Sequence, residues 1–230
     1  PSTEDEYVKA SDLMVRCLEE EGVEQIFGVP GEENADFMIS LLDSKIDFVL
    51  CRHEQAAAFM ADAYGRLTGK AGVCLGTLGP GVTNLLTGIA DANMDRAPCV
   101  AIIGQGSTKR LHKESHQIMD AIRMCEPVSK WAQTILAPEN VTEIVRKAFK
   151  IAEAEKPGLC VVELPEDIAD EQTDERPIKA SSVRRPTAEE KSVFRALEKI
   201  HAAKSPILVI GAGGNRKLTS KMLSVFIEKT

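Results

Sequence analysis

The sequence predicts an α/β fold: an open parallel sheet flanked by helices, then the start of a second, Rossmann-like α/β domain. Three observations carry this reading. Five strand-like runs are apolar throughout rather than alternating, helical patterns separate them, and glycine or polar residues gather where the runs end. Continuous apolar runs suit strands covered on both faces, and their alternation with helices implies right-handed βαβ connections.

The first run, EQIFGVP (24–30), precedes the helical pattern ENADFMISLLDS (33–44), and IDFVLC (46–51) leads into EQAAAFMADAYGRL (54–67). AGVCLGTL (71–78) is followed by VTNLLTGIADANM (82–94), and PCVAIIG (98–104) by a long polar loop, GQGSTKRLHKESHQIMDAI (104–122). In NVTEIVRKAFKIAEAE (140–155), Val141, Ile144, Val145, Ala148, Phe149 and Ala152 recur at helical spacing, and Pro138 and Glu139 suit a helix start. GLCVVEL (158–164) closes the series. A sheet of about six parallel strands is expected over residues 7–170, with every carboxyl end facing one crevice.

Residues 1–170 thus read as one domain. The stretch 171–187 reads as a linker, because TDERPIKASSVRRPTAEE (173–190) is polar, carries two prolines and has no apolar period. Residues 188–230 read as the truncated beginning of a second domain, with a helix from about Thr187 to His201 and a strand at SPILVIGAGG (205–214).

Composition narrows the function classes. A net charge of −7 disfavours a nucleic-acid partner. No apolar run approaches the roughly 18 residues of a membrane span, so no membrane association is expected. The six cysteines are widely spaced without a metal-like cluster, which predicts no metal ligands in this chain and a reducing, cytoplasmic compartment.

Ligands of open α/β sheets sit outside the carboxyl ends of the strands. Those ends are Val29-Pro30-Gly31, Arg52-His53-Glu54, Thr77–Gly81, Gly104-Gln105-Gly106 and Leu164-Pro165. GTLGPGVTN (76–84) runs a strand through a Gly-Pro-Gly turn into a helix start, where Asn84 presents an amide; as a tight βα turn it needs no ligand. It is not a P-loop, since no GK[ST] follows. Glu54 opens a helix, where the dipole alone rewards a carboxylate by ~0.5 kcal/mol. The strand end and AAAFM would also desolvate it, and desolvation readies a carboxyl to hold or share a proton. His116 and Gln117 precede an apolar helix and are placed to face the same crevice, while His112 and His201 read as surface residues.

Together FGVPG, RHEQAAAFMADAYGRLTGKAGVCLGTLGPGVTNLLTGIADAN, SHQIMDAI, EPVSKWA and KPGLCVVELPEDI resemble the pyrimidine-binding domain of thiamine-diphosphate-dependent enzymes. Within that family the resemblance is nearest to acetolactate synthase large subunits, over about residues 7–170. It implies that Glu54 hydrogen-bonds the aminopyrimidine of thiamine diphosphate and helps strip the C2 proton of its thiazolium. It further implies that Pro30 and Gly31 flank the pyrimidine, that Thr77, Pro80, Gly81 and Asn84 line its pocket, and that Gln117 approaches the substrate. The reaction implied is decarboxylation of pyruvate and transfer of the two-carbon unit to a second 2-oxo acid, by a homodimer or tetramer. The family holds the diphosphate and Mg2+ on a C-terminal domain carrying GDG, which these 230 residues lack. The chain is therefore expected to be an N-terminal fragment, inactive alone. Lys156 stands where FAD-containing synthases commonly carry arginine, which weakens the implication of FAD, and the loop 107–115 looks nearer to flavin-free, catabolic synthases. Pyruvate oxidase, glyoxylate carboligase and 2-oxo-acid decarboxylases share the same plan and stay open. A non-catalytic nucleotide-binding module is the alternative from another class, resting on VIGAGGNR (209–216), where Arg216 occupies the place of the third glycine.

Overall fold

Alternate residues of the same strands feed two different cores. In a computed structural model, which describes residues 7–181, 186–214 and 217–229, Val73, Leu75, Val100, Ile102, Cys160 and Val162 join one apolar cluster. Cys74, Cys99, Ala101, Ile103, Leu159 and Val161 join the other. Successive side chains of a strand point to opposite faces, so a strand buried on both is apolar at nearly every position, polar side chains such as Gln105 and Glu163 being admitted where they pair with one another. That is the physical reason for the continuous runs.

The chain divides into two compact units, Pro1–Val183 and Arg184–Thr230. The first unit runs β1 (Val8–Lys9), α1 (Ala10–Glu20), β2 (Gln25–Gly28), α2 (Ala35–Ser40), β3 (Asp47–Leu50) and α3 (Glu54–Thr68). It continues with β4 (Gly72–Gly76), α4 (Pro80–Met94), β5 (Cys99–Gln105), α5 (Ala121–Cys125) and β6 (Trp131–Thr134). Its last elements are α6 (Val141–Glu153), β7 (Leu159–Pro165), α7 (Glu166–Asp170) and β8 (Gln172–Thr173). Six strands form one parallel sheet in the order β3-β2-β4-β5-β7-β6, as expected.

Three features of this unit lie outside the sequence-based expectation. Helix α1 buries Leu13, Met14, Cys17 and Leu18 against the first cluster, a spacing that was available in the sequence. Strand β6, WAQT, is half-buried at the sheet edge and so lacks the all-apolar signature of its neighbours. The stretch 171–187 is not linker from its first residue: Ala10 N–H donates to the Glu171 carbonyl at 2.8 Å, and β8 pairs antiparallel with β1 while burying Thr173. Part of that stretch, 182–185, lies outside the described residues.

Helices α1, α2 and α6 cover one face of the sheet, and α3 and α4 cover the other. Helices α3 and α4 approach closely because Gly88 lacks a side chain; a Cβ there would lie 2.5 Å from that of Ala58. Lys130 donates to the carbonyls of Ile151 and Ala154, satisfying acceptors at the end of α6. Burial pushes the thiols of Cys17, Cys74 and Cys160 up to about 12, so these free cysteines stay protonated and pack as small apolar groups.

The second unit contains α8 (Glu190–Ala202) and α9 (Lys217–Lys229). The strand expected at 205–214 does not form: 205–211 carry no regular structure, and Ile207 and Val209 are each 88% exposed. A strand exists only within a ladder, and among the described residues of this unit no strand is present to pair with them. Asn215 and Arg216 of the nucleotide-binding alternative lie outside the described residues. Among the described residues no helix is long and apolar enough to cross a membrane.

Candidate functional site

Strands β2 and β4 are parallel neighbours, yet the chain leaves them toward opposite faces. After β2 it enters α2, whose Phe37 joins the first cluster; after β4 it enters α4, whose Val82 and Leu85 join the second. Such a divergence opens a crevice above the carboxyl ends of the two strands. Residues 29–34 and 77–81 leave the sheet there.

Glu54 is the first residue of α3 and is only 8% exposed. His53 caps the helix, its Nδ1 accepting from the Gln55 N–H at 3.1 Å. Asn84, one turn into α4, donates through Nδ2 to Glu54 Oε2 at 2.9 Å. Among the described residues Oε1 carries no hydrogen bond. A Cβ on Gly81 would sit 3.6 Å from that oxygen and 3.1 Å from Thr77 Cγ2, so the missing side chain leaves room beside it.

Thr77 donates to Glu33 Oε2 at 2.9 Å, and Gly31 N–H donates to Asn34 Oδ1 at 2.8 Å. Gly31 and Thr77 are in direct contact, since a Cβ on the former would lie 2.5 Å from that of the latter. Pro30 and Pro80 are exposed at the two turns. Glu33 and Asn34 were not singled out from the sequence, although both follow a strand end within a few residues. Asn34 is buried and its Nδ2 lacks a hydrogen-bond partner.

Gln117 reaches this place from the long polar loop. Its backbone lies against Gly79, where a Cβ would be 2.6 Å from the Gln117 carbonyl oxygen. Gly79 itself adopts φ 54°, and Gln117, with φ 58°, occupies the left-handed region that non-glycine residues rarely enter. His112 and His116 are exposed. Glu54, Asn84, Gly81, Thr77 and Gly31 thus form one contiguous group, with Pro30 and Pro80 at its turns and Gln117 joined through Gly79. Among the described residues no group of three or more His, Cys, Asp or Glu is arranged to hold a metal.

A second carboxyl is buried in the sheet. Glu163 on β7 accepts from Gln105 Nε2 at 2.9 Å and from Thr134 Oγ1 at 2.6 Å. Burial pushes its pKa above the ordinary 4.5, against the opposing effect of those two donors, and among the described residues no cation pairs with it. The folded state therefore binds more protons than the unfolded chain as pH rises past 4.5, and stability falls through the window up to the raised pKa. Glu163→Gln should abolish that fall and be the more stable protein at neutral pH, with equal stability at acid pH. Glu163→Leu should cost about 1–3 kcal/mol by stranding the Gln105 amide. Urea unfolding across pH checks both; a wild-type pH profile unchanged in Glu163→Gln would contradict this account.

Comparison with known proteins decides the family. The family described as "Thiamine pyrophosphate enzyme, N-terminal TPP binding domain" matches residues 8–124, half of the chain. The chain belongs to the thiamine pyrophosphate enzymes. Its six-stranded parallel sheet is the architecture in which this TPP-binding domain is presented. Among relatives, it is 41% identical over 226 residues to "Acetolactate synthase, catabolic" of Raoultella terrigena, covering 97% of this chain and 40% of that protein. It is 36% identical over 223 residues to "Acetolactate synthase" of Bacillus subtilis, covering 96% and 39%. With "Probable acetolactate synthase large subunit" of Methanocaldococcus jannaschii the identity is 40% over 214 residues, covering 90% and 36%. This TPP-binding chain therefore spans about two fifths of the length of the curated relatives it matches.

Proposed function

We propose that this chain forms the pyrimidine-binding part of a longer, acetolactate-synthase-like carboligase. That enzyme would decarboxylate pyruvate and join the two-carbon unit to a second 2-oxo acid. The observation that carries the reading is the half-engaged Glu54 carboxyl, with one oxygen held by Asn84 and the other open beside the gap at Gly81. That arrangement fits an aminopyrimidine, which offers a ring nitrogen to a carboxyl and a flat face to a site without a side chain at Gly81. Pro30, Gly31, Thr77, Pro80, Gly81 and Asn84 would hold the ring.

When bound, thiamine diphosphate supplies the carbon nucleophile. The chain's part is to bind the ring, orient it and move a proton at Glu54 Oε1. Asn84 fixes the carboxyl so that only Oε1 takes part, and burial keeps water from competing for it. Gln117 would stand over the substrate side of the crevice. Mg2+ and the diphosphate would be held by a C-terminal domain, and Lys156 favours a flavin-free form. Six unpaired thiols support a reducing, cytoplasmic setting.

The test is product analysis with the complete enzyme, pyruvate, thiamine diphosphate and Mg2+. Acetolactate is expected. Acetaldehyde alone would assign a decarboxylase, acetyl phosphate or peroxide an oxidase, and no thiamine-dependent turnover would leave a non-catalytic module.

The same reading proposes a homodimer or a tetramer. Ala56, Phe59, Met60, Ala63 and Leu67 line an exposed face of α3, and Met94 is exposed at the end of α4. Apolar residues recurring at helical spacing on the outer face suit a second copy of the same surface. Sedimentation should show a dimer, and Phe59→Asp should weaken association at least tenfold. A strict monomer, or a variant that associates equally well, would count against it.

A further inference from the structure

Five residues of one segment, Glu163 to Asp167, carry three carboxyl groups, and all three reach the loop that bears Gln117. Asp167 accepts from the Thr108 N–H at 2.9 Å, the Thr108 hydroxyl at 2.6 Å and the Ser107 hydroxyl at 2.9 Å. Glu166 Oε1 accepts from the Ser107 N–H at 2.9 Å and from Arg110 at 3.2 Å, and Arg110 in turn donates to the Ser115 hydroxyl at 3.1 Å. Glu163 reaches the far end of the loop by relay: the Gln105 amide that donates to it also donates to the Met119 carbonyl at 3.0 Å. Gln105 Oε1 accepts from the Gly106 N–H at 3.0 Å, which fixes the side-chain amide's orientation.

We propose that Glu163, Glu166 and Asp167 form a positioning element that holds the loop at both ends and so keeps Gln117 against Gly79, over the crevice. The proposal rests on the role given to Gln117 above. A backbone at φ 58° does not persist in a free loop, because a side chain in that region is sterically disfavoured. It persists where the surroundings over-determine it, and here the loop is fastened on either side of Gln117, at Ser107–Thr108 and at Met119. Burial would push the Asp167 carboxyl up, but the hydrogen bonds from Thr108 and Ser107 outweigh it and hold the carboxyl below its ordinary value. It is thus ionised at neutral pH and accepts all three bonds.

The experiment uses the complete enzyme and two readouts that Gln117 and Glu54 separate. Exchange of the C2 proton of bound thiamine diphosphate reports Glu54; turnover of 2-oxo acid reports the substrate side as well. Asp167→Ala should lower kcat on the order of 10- to 100-fold, as expected for a misplaced group, with C2 exchange unchanged. Asp167→Asn, which keeps an acceptor for Thr108, should recover most of that loss. In a Gln117→Ala background, Asp167→Ala should change kcat less than about twofold, because the residue it positions is gone. Should Asp167→Ala fail to fold, Ser107→Ala with Thr108→Val removes the loop side of the same bonds. Parallel losses of exchange and turnover, or full additivity with Gln117→Ala, would overturn the proposal. An impaired Gln117→Ala beside an intact Asp167→Ala overturns the positioning element alone. Full turnover by Gln117→Ala overturns the role of Gln117 and this proposal with it.

Discussion

Glu54→Gln in the complete enzyme should leave the fold intact and lower turnover by about 10²- to 10⁴-fold, or about 3–5 kcal/mol of barrier. Glutamine keeps the volume and can still accept from Asn84 Nδ2, now 2.9 Å from the carboxyl. What it lacks is an exchangeable carboxyl proton at Oε1. If Glu54 served only the dipole of α3, the cost would be ~0.5 kcal/mol of stability and turnover would stand. The check is C2-proton exchange of bound thiamine diphosphate beside thermal melting. Equal exchange rates in wild type and variant would remove Glu54 from the mechanism, whatever the melting shows.

Arg146→Leu should destabilise the first unit by about 3–5 kcal/mol, the cost of leaving a buried charge unpaired. Arg146 on α6 binds Glu21, just after α1, through two contacts of 2.8 and 2.7 Å, with the two side chains 13% and 7% exposed. Burial already pushes the Glu21 pKa up, and Arg146 is the group that counters it. Without the guanidinium, Glu21 must be desolvated unpaired or take up a proton. The double variant Glu21→Leu/Arg146→Leu should recover most of the loss, because removing both charges removes the desolvation cost as well. Denaturant midpoints followed by circular dichroism check both; a single variant within about 0.5 kcal/mol of wild type would show that the pair is solvated.

Some of this was legible in the order of residues and some was not. The central strands β4, β5 and β7 could be read directly, because burial on both faces imposes an apolar residue at nearly every position. Strand β6 could not, since one edge and a half-buried face impose no such rule. The segment 205–214 shows the converse: its composition is that of a central strand, yet among the described residues of its unit no strand is present to pair with it, and 205–211 stay irregular. Glu54 could be read because a carboxyl at a strand end ahead of three alanines has few local reasons to be there. Glu33 and Asn34 needed only the same rule carried a few residues further past β2.

By itself the sequence determined the fold class, the parallel sheet, the ends of β2, β3, β4, β5 and β7, and the family. These follow from side-chain periodicity and from motifs whose residues lie close along the chain. Only the tertiary structure decided which groups face one another. Asn84 meets Glu54 across 30 residues, Arg146 meets Glu21 across 125, and Asp167 holds Thr108 across 59. Such pairings depend on which helix lies beside which and on the register of strands in the sheet. No local pattern encodes them, because a hydrogen bond is set by distance in space and each partner's residue type is compatible with many other neighbours.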